Sequence, residues 1–122
     1  LMKHATAFLA LVNDAKTRVK EIDIPAYLEL RDSGAAHILI DTREESEWGR
    51  GHLPGAIHLG KGIIERDIEG KVPDKETTLI LYCGGGFRSA LVADNLQKMG
   101  YTNCISLDGG WRDWTERKLP VE

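Results

Sequence analysis

The sequence predicts a single α/β sandwich in which helices flank a mostly parallel sheet. Two features of the sequence support this prediction. Short apolar runs rich in β-branched residues alternate with segments whose apolar residues recur at helical spacing. The clearest apolar run, at residues 77–82, leads into a cysteine, three consecutive glycines and then a helix-like segment. Open α/β sheets bind their ligands at the carboxyl ends of their strands, so we expect the functional site in this loop.

The first predicted elements are two helices with a short strand between them. Apolar residues on one helical face predict an amphipathic helix at about residues 5–18, which could pack on the domain or dock a partner. A short edge strand is expected at residues 19–22. Asp23 is a predicted N-cap, and Pro25 lies in the first turn of a helix over residues 24–32.

From residue 37 onward, strands and helices alternate regularly. The apolar run at residues 37–41 predicts a buried strand, and the run at 77–82 predicts the central one. The other predicted elements are, in order, a helix at 44–49, a strand at 56–58, helices at 62–68 and 89–99, a strand at 103–107 and a helix at 111–117. No internal repeat or linker is visible, which indicates one compact unit.

Length and charge exclude several classes of function. A chain of 122 residues can bury a core without disulfides or a structural metal. Its 16 Lys and Arg residues against 19 Asp and Glu give a net charge of −3, which argues against nucleic acid or a membrane surface as partner. Two cysteines are too few for a disulfide framework, and no Cys or His spacing indicates zinc. We therefore expect no metal and, without a signal peptide or membrane-spanning run, a cytoplasmic location.

The loop after residue 82 combines a cysteine with an anion-binding backbone. Successive glycines let backbone N–H groups turn inward at a helix N-terminus. This arrangement should favour a thiolate, which makes the cysteine the candidate nucleophile. The alternatives are an inert buried cysteine and a nucleotide phosphate loop, although the Gly-Lys-Ser/Thr ending of such a loop is missing. The residues of this candidate site are Cys83, Gly84, Gly85, Gly86, Phe87 and Arg88.

Four charged or polar residues are candidates for supporting roles. Arg88 could bind an oxyanion bidentately, or it could be a solvated residue of the first helical turn. Asp41 and Arg43 lie at the end of another buried strand. They could form a buried pair that fixes the loops around the site, or Asp41 could act as an acid. Ser89 is expected to cap the helix or to hold a loop carbonyl.

Other chemically versatile residues are expected to have structural roles. His52 and His58 lie beside the turn at Pro54, and without a third ligand at suitable spacing a metal site is not expected there. We expect His52 to be hydrogen-bonded within the structure. Cys104 is expected to be a buried thiol, the alternative being a resolving cysteine. The tryptophans are expected in the core or in a lid over the site: Trp48, Trp111 and Trp114.

Three segments of the sequence resemble single-domain rhodaneses, which are sulfurtransferases. They are residues 41–56, with Asp-Thr-Arg, Glu-Trp and Gly-His-Leu-Pro-Gly-Ala; residues 82–89 around the cysteine; and residues 100–114, with Asp-Gly-Gly-Trp. The resemblance implies a rhodanese-like three-layer sandwich over residues 19–122. Residues 1–18 are then an N-terminal helical extension.

The same resemblance implies a mechanism and its partners. Cys83 would take the outer sulfur of thiosulfate or another persulfide donor, and N–H groups from Gly84 to Arg88 would hold the resulting persulfide. Cyanide or a thiol acceptor such as glutathione or thioredoxin would then remove that sulfur, which gives ping-pong kinetics. The covalent persulfide is the intermediate, so no cofactor is expected.

Two other functions remain open at this point. Cysteine phosphatases that share this fold also place a cysteine and an arginine around an anion-binding loop, but with five intervening residues. Here four residues separate Cys83 from Arg88, and the smaller ring suits a sulfur atom better than a phosphate. Non-catalytic rhodanese-like modules generally lack the cysteine, so its presence argues against a binding role alone. The triple glycine departs from many family loops, which makes a low-molecular-weight persulfide or a protein an alternative donor to thiosulfate.

Overall fold

The computed structural model describes residues 4–122 and contains a five-stranded sheet between helices. Every pair of neighbouring strands is parallel, so the predicted α/β sandwich with a mostly parallel sheet is confirmed. The spatial order is β1-β5-β4-β2-β3, which places β4 in the centre. The strands are β1 (Lys20–Ile22), β2 (Ile38–Asp41), β3 (Ile57–His58), β4 (Leu79–Tyr82) and β5 (Cys104–Leu107).

Six helices surround this sheet. They are α1 (Thr6–Lys16), α2 (Ile24–Asp32), α3 (Glu45–Trp48), α4 (Ile64–Lys71), α5 (Phe87–Lys98) and α6 (Gly110–Glu116). As predicted, Asp23 caps α2, where its side chain accepts a hydrogen bond of 2.9 Å from the N–H of Ala26. None of the helices within residues 4–122 is long and apolar enough to cross a membrane.

Alternating side chains of β4 divide the core into two layers. All four residues of this strand are buried, because its backbone pairs on both sides and its faces are both covered. Leu79 and Leu81 pack with residues of α4 and α5 on one face, whereas Ile80 and Tyr82 pack with residues of α2 and α6 on the other. The three-layer architecture follows from this period of two.

Two helices begin two residues away from their predicted starts for local reasons, and α4 also ends at Lys71, three residues later than predicted. Helix α4 begins at Ile64 rather than at residue 62, because the N–H groups of Ile63 and Ile64 both bond to the carbonyl of Gly60 in a turn. Helix α5 begins at Phe87, two residues earlier than predicted. Gly86 adopts a φ of 98° and turns the chain straight into the helix, without a separate loop after the glycines.

Helix α1 packs against the domain rather than projecting from it. Its residues Val12 and Ala15 are buried, and α1 lies along α5. Just after α1, the guanidinium of Arg18 donates to both carboxylate oxygens of Asp94 in α5, at 3.0 and 2.9 Å. Gln97 donates to the carbonyl of Arg18 at 3.1 Å. The division into an extension (1–18) and a domain (19–122) remains a prediction, but the extension's helix is firmly attached.

Candidate active site

Cys83 lies at the point where the central strand ends and α5 begins. Its side chain is buried, at 1% exposure, and it forms part of the lining of a cavity of about 570 Å³. The sulfur accepts hydrogen bonds from the N–H groups of Gly86 at 3.2 Å and Ser89 at 3.3 Å. Because the first N–H groups of a helix have no partner within the helix, the sulfur takes the place of a capping oxygen for α5. This geometry favours negative charge on the sulfur.

The start of α6 holds the cysteine loop from the other side. The N–H of Trp111 donates to the carbonyl of Cys83, and the N–H of Arg112 donates to the carbonyl of Gly84, both at 2.9 Å. Gly110 has a φ of 48°, and a Cβ at this position would clash with the carbonyl of Cys83. The glycine that precedes Trp111 is therefore required for this close approach, a role that the sequence analysis missed although the Gly-Gly pair was visible.

Ser89 contacts the nucleophile directly, and the predicted cap or carbonyl-binding role is wrong. Its side chain is fully buried in the first turn of α5, because the helix begins two residues earlier than predicted. The Ser89 Oγ lies 3.5 Å from the Cys83 Sγ and 2.8 Å from the Oγ of Ser106 in β5. The hydroxyl pair can therefore place a hydrogen-bond donor on the sulfur from the sheet side.

Arg88 is held beside the loop by a carboxylate that the sequence analysis did not identify as a site residue. Its guanidinium contacts Glu47 of α3 at 2.8 and 3.2 Å, with both side chains about 70% buried. A Cβ on Gly84 would lie 3.1 Å from Arg88 Nη2, so the guanidinium covers the loop. The hydrogen bond from Arg88 lowers the pKa of Glu47, and the same contact raises the pKa of Arg88. The signal available was the Glu-Trp pair in the first family-like segment.

Asp41 and Arg43 form the buried pair that was one of the two predicted alternatives. Three guanidinium contacts of 2.7–3.1 Å join them, and both residues are almost fully buried. Asp41 also accepts the hydroxyl of Tyr82 at 2.7 Å, and Tyr82 in turn accepts the N–H of Leu53 at 3.1 Å. Burial and the neighbouring carboxylate raise the pKa of Tyr82 above its ordinary value. Asp41 does not line the cavity, so its contacts fix the end of the central strand and offer no acid to a substrate.

The cavity above Cys83 has one arginine that is free for a ligand. Among residues 4–122, Arg112 makes no ion pair within 4.0 Å, whereas Arg88 is paired with Glu47. A Cβ on Gly85 would lie 3.5 Å from Arg112 Nη1, so this guanidinium borders the loop. Arg112 is a candidate anion-binding residue that the sequence analysis missed. The apolar part of the lining consists mainly of aromatic rings from three helices: Phe8, Phe87 and Trp111.

The remaining candidates lie away from the sulfur. His52 stacks on Trp48 at 3.7 Å between ring centroids and contacts the Leu53 carbonyl at 3.1 Å, so its expected structural role is confirmed. His58 bonds to the carbonyl of Arg43 at 2.8 Å. Cys104 is buried in the core layer of α4 and α5, where burial raises the pKa of its thiol to about 11. Such a thiol is poorly suited to resolve a persulfide.

Most of the sequence matches a known protein family. The family model described as rhodanese-like domain matches residues 24–117. The chain belongs to the rhodanese-like domain family. This rhodanese-like domain is 32% identical over 103 residues to the thiosulfate sulfurtransferase GlpE of Haemophilus influenzae, and the match covers 84% of this chain and 94% of GlpE. It is 31% identical over 97 residues to YrkF of Bacillus subtilis, which is named for a suggested role as a sulfur carrier.

The relatives differ in how much of their length the rhodanese-like domain spans. The match to YrkF covers 80% of this chain but only 51% of YrkF, so the chain spans about half of that relative. A solved structure, RPA3614 of Rhodopseudomonas palustris, has a TM-score of 0.82 at 25% identity. The match covers 100% of this chain and 99% of RPA3614, which is described as a protein of unknown function and possible tyrosine phosphatase.

Proposed function

We propose that the protein is a sulfurtransferase that moves a sulfane sulfur through a persulfide on Cys83. The single observation that supports this most strongly is the position of the sulfur. Cys83 lines the cavity, and two N–H groups, one of the glycine loop and one of the first helical turn, donate to its sulfur. The family supports the same chemistry, since GlpE, whose match to this chain extends through 94% of its length, is named a thiosulfate sulfurtransferase.

In the proposed first half-reaction, the Cys83 thiolate attacks the outer sulfur of thiosulfate. The new bond joins the two sulfur atoms, and the sulfur–sulfur bond of thiosulfate breaks with its electron pair, so sulfite leaves. The outer sulfur then carries the negative charge. The N–H groups of Gly84 and Gly85 have no hydrogen-bond acceptor among residues 4–122, so they are available to this sulfur. Arg112 supplies the unpaired cation that would attract a dianionic donor.

In the proposed second half-reaction, an acceptor removes the outer sulfur and regenerates the thiolate. Cyanide would leave as thiocyanate, and a thiol such as glutathione or thioredoxin would leave as a persulfide. The covalent intermediate is the only carrier that the proposed cycle uses, so it requires no cofactor. The structure has two free cysteines, and a working thiolate requires reducing conditions, so the proposed location is the cytoplasm.

A cysteine phosphatase is the second candidate, because RPA3614 is described as a possible tyrosine phosphatase. Two observations favour sulfur over phosphate here. The loop has four residues between Cys83 and Arg88, and Arg88 is already held by Glu47 at 2.8 Å. A phosphate would have to compete with this carboxylate for the guanidinium, whereas a single sulfur atom at the loop N–H groups would not.

The test is to measure both activities on the same purified protein. We expect thiocyanate formation from thiosulfate and cyanide, and complete loss of it in Cys83→Ser. Cys104→Ser should retain most of the activity, because Cys104 does not line the cavity. Cys104→Ser is the matched control, since it removes the other buried thiol. Hydrolysis of an aryl phosphate that depends on Cys83, without thiocyanate formation, would instead establish the phosphatase.

A further inference from the structure

Part of the lining of the cavity comes from a segment that the family model does not match. The match begins at residue 24, yet His4 and Phe8 line the same cavity as Cys83. The His4 ring lies 4.4 Å from the Phe87 ring and 5.3 Å from the Phe8 ring, and the two phenyl rings are 6.3 Å apart, all measured between centroids. We call these three rings the aromatic wall.

Contacts along α1 and just after it hold the aromatic wall in place. Val12 and Ala15 are buried against the domain, and Arg18 forms its two-oxygen contact with Asp94. The ammonium group of Lys16 lies 5.2 Å from the centroid of Phe87, on the same ring that faces the cysteine loop. A fixed wall costs little conformational entropy when a ligand packs on it, so it can contribute to selectivity.

The size and chemistry of the cavity do not match an inorganic donor alone. Cavities of roughly 300–1,000 Å³ hold organic ligands of drug-like size, and this one is about 570 Å³. Thiosulfate has no apolar surface and would leave the aromatic wall uncontacted. At Gly85 the loop borders both kinds of group, because a Cβ there would be 3.5 Å from Arg112 Nη1 and 3.6 Å from the Phe87 ring. The cavity therefore presents an apolar wall beside a cation.

We propose that the aromatic wall determines donor specificity by binding the organic group of an anionic organic sulfane donor, such as a thiosulfonate. This inference rests on the proposed sulfurtransferase function and adds a substrate class to it. The outer sulfur of the thiosulfonate would bond to the Cys83 sulfur, and its bond to the sulfonyl sulfur would break with its electron pair. An organic sulfinate would leave, with its oxygens near Arg112 and its organic group on the rings of Phe8 and Phe87.

The test compares two donors with the same acceptor. We would measure kcat/KM for benzenethiosulfonate and for thiosulfate, with cyanide as acceptor, in the wild type and in Phe8→Ala. One aromatic contact corresponds to a change of about 3- to 10-fold. We therefore expect Phe8→Ala to lower the ratio of the two kcat/KM values, organic over inorganic, by that factor. Leu11→Ala is the matched control, because Leu11 is 58% exposed on the same helix and does not line this cavity.

A purely structural role for Phe8 would lower both kcat/KM values together and leave their ratio unchanged, which would overturn the proposal. If Phe8→Ala does not fold, Phe8→Leu decides, because it keeps an apolar contact and removes the ring; an unchanged ratio in that variant is equally decisive against the wall. Intact mass distinguishes failure of the aromatic-wall proposal from failure of the proposed sulfurtransferase function. If the wild type gains a sulfur from either donor, but Phe8→Ala leaves the ratio of the two kcat/KM values unchanged, only the aromatic-wall proposal is refuted. If the wild type gains no sulfur from either donor, the proposed sulfurtransferase function is refuted together with the aromatic-wall proposal.

Discussion

The buried pair of Asp41 and Arg43 allows the most quantitative prediction. In Asp41→Asn the shape of the side chain is kept, but its charge is removed. The guanidinium of Arg43 is only 2% exposed, so it would remain as a charge without a counter-ion in the interior. Loss of one partner of a buried pair costs about 3–5 kcal/mol of unfolding free energy. The Tyr82 hydroxyl, which donates to Asp41 at 2.7 Å, would keep an acceptor.

The assay is urea denaturation followed by tryptophan fluorescence. With a slope of about 2 kcal/mol per molar urea, the predicted loss moves the midpoint down by about 2 M. Asp32→Asn is the control, because its pair with Arg31 is exposed on both sides and should contribute little. A midpoint shift below about 0.5 M in Asp41→Asn, or an equal shift in the control, would show that this pair does not fix the end of the central strand.

Three further variants test separate parts of the site. Arg112→Gln should raise the thiosulfate KM about tenfold with a smaller change in kcat, whereas Arg117→Gln, just after the same helix, should leave KM unchanged. Equal effects of the two variants would show that Arg112 does not bind the donor. Gly110→Ala should lower the free energy of unfolding by about 1–3 kcal/mol and remove most of the activity, because the added methyl group would clash with the Cys83 carbonyl. Gly70→Ala in α4, where the added methyl group meets open space, should raise the free energy of unfolding by about 0.5–1 kcal/mol. Glu47→Gln should lower the melting temperature at pH 7. Because the pKa of this carboxylate in the folded protein is below its ordinary value of 4.5, the difference in melting temperature from the wild type should shrink as the pH falls below about 4.5. A difference that stays constant with pH would contradict the ion pair with Arg88.

The fold was predictable because its signals are local. The apolar run of β4 and the cap at Asp23 are each encoded within a few residues. Their order along the chain then specifies a parallel sheet, since each strand is followed by a helix. The start of α5, which positions the site, was misplaced by two residues because the conformation of Gly86 depends on how tightly the loop closes.

The site was predictable only where its residues are neighbours in sequence. Cys83 and its glycines could be recognised from a single segment. Glu47 could not be assigned to Arg88, because they are 41 positions apart in the sequence and only the packing of α3 beside the loop brings them together. Arg112 was missed for the same reason, since its place at the cavity follows from its N–H bond to Gly84. The contact of α1 with the cavity likewise depends on how that helix packs on α5.

The proposed mechanism requires that Cys83 carries the transferred sulfur. Its most direct test is the intact mass of the protein after brief treatment with thiosulfate, followed by peptide mapping under non-reducing conditions. We predict a gain of about 32 Da on the peptide that contains Cys83, and its loss on addition of cyanide. An unmodified Cys83, or a sulfur found on Cys104 instead, would contradict the account.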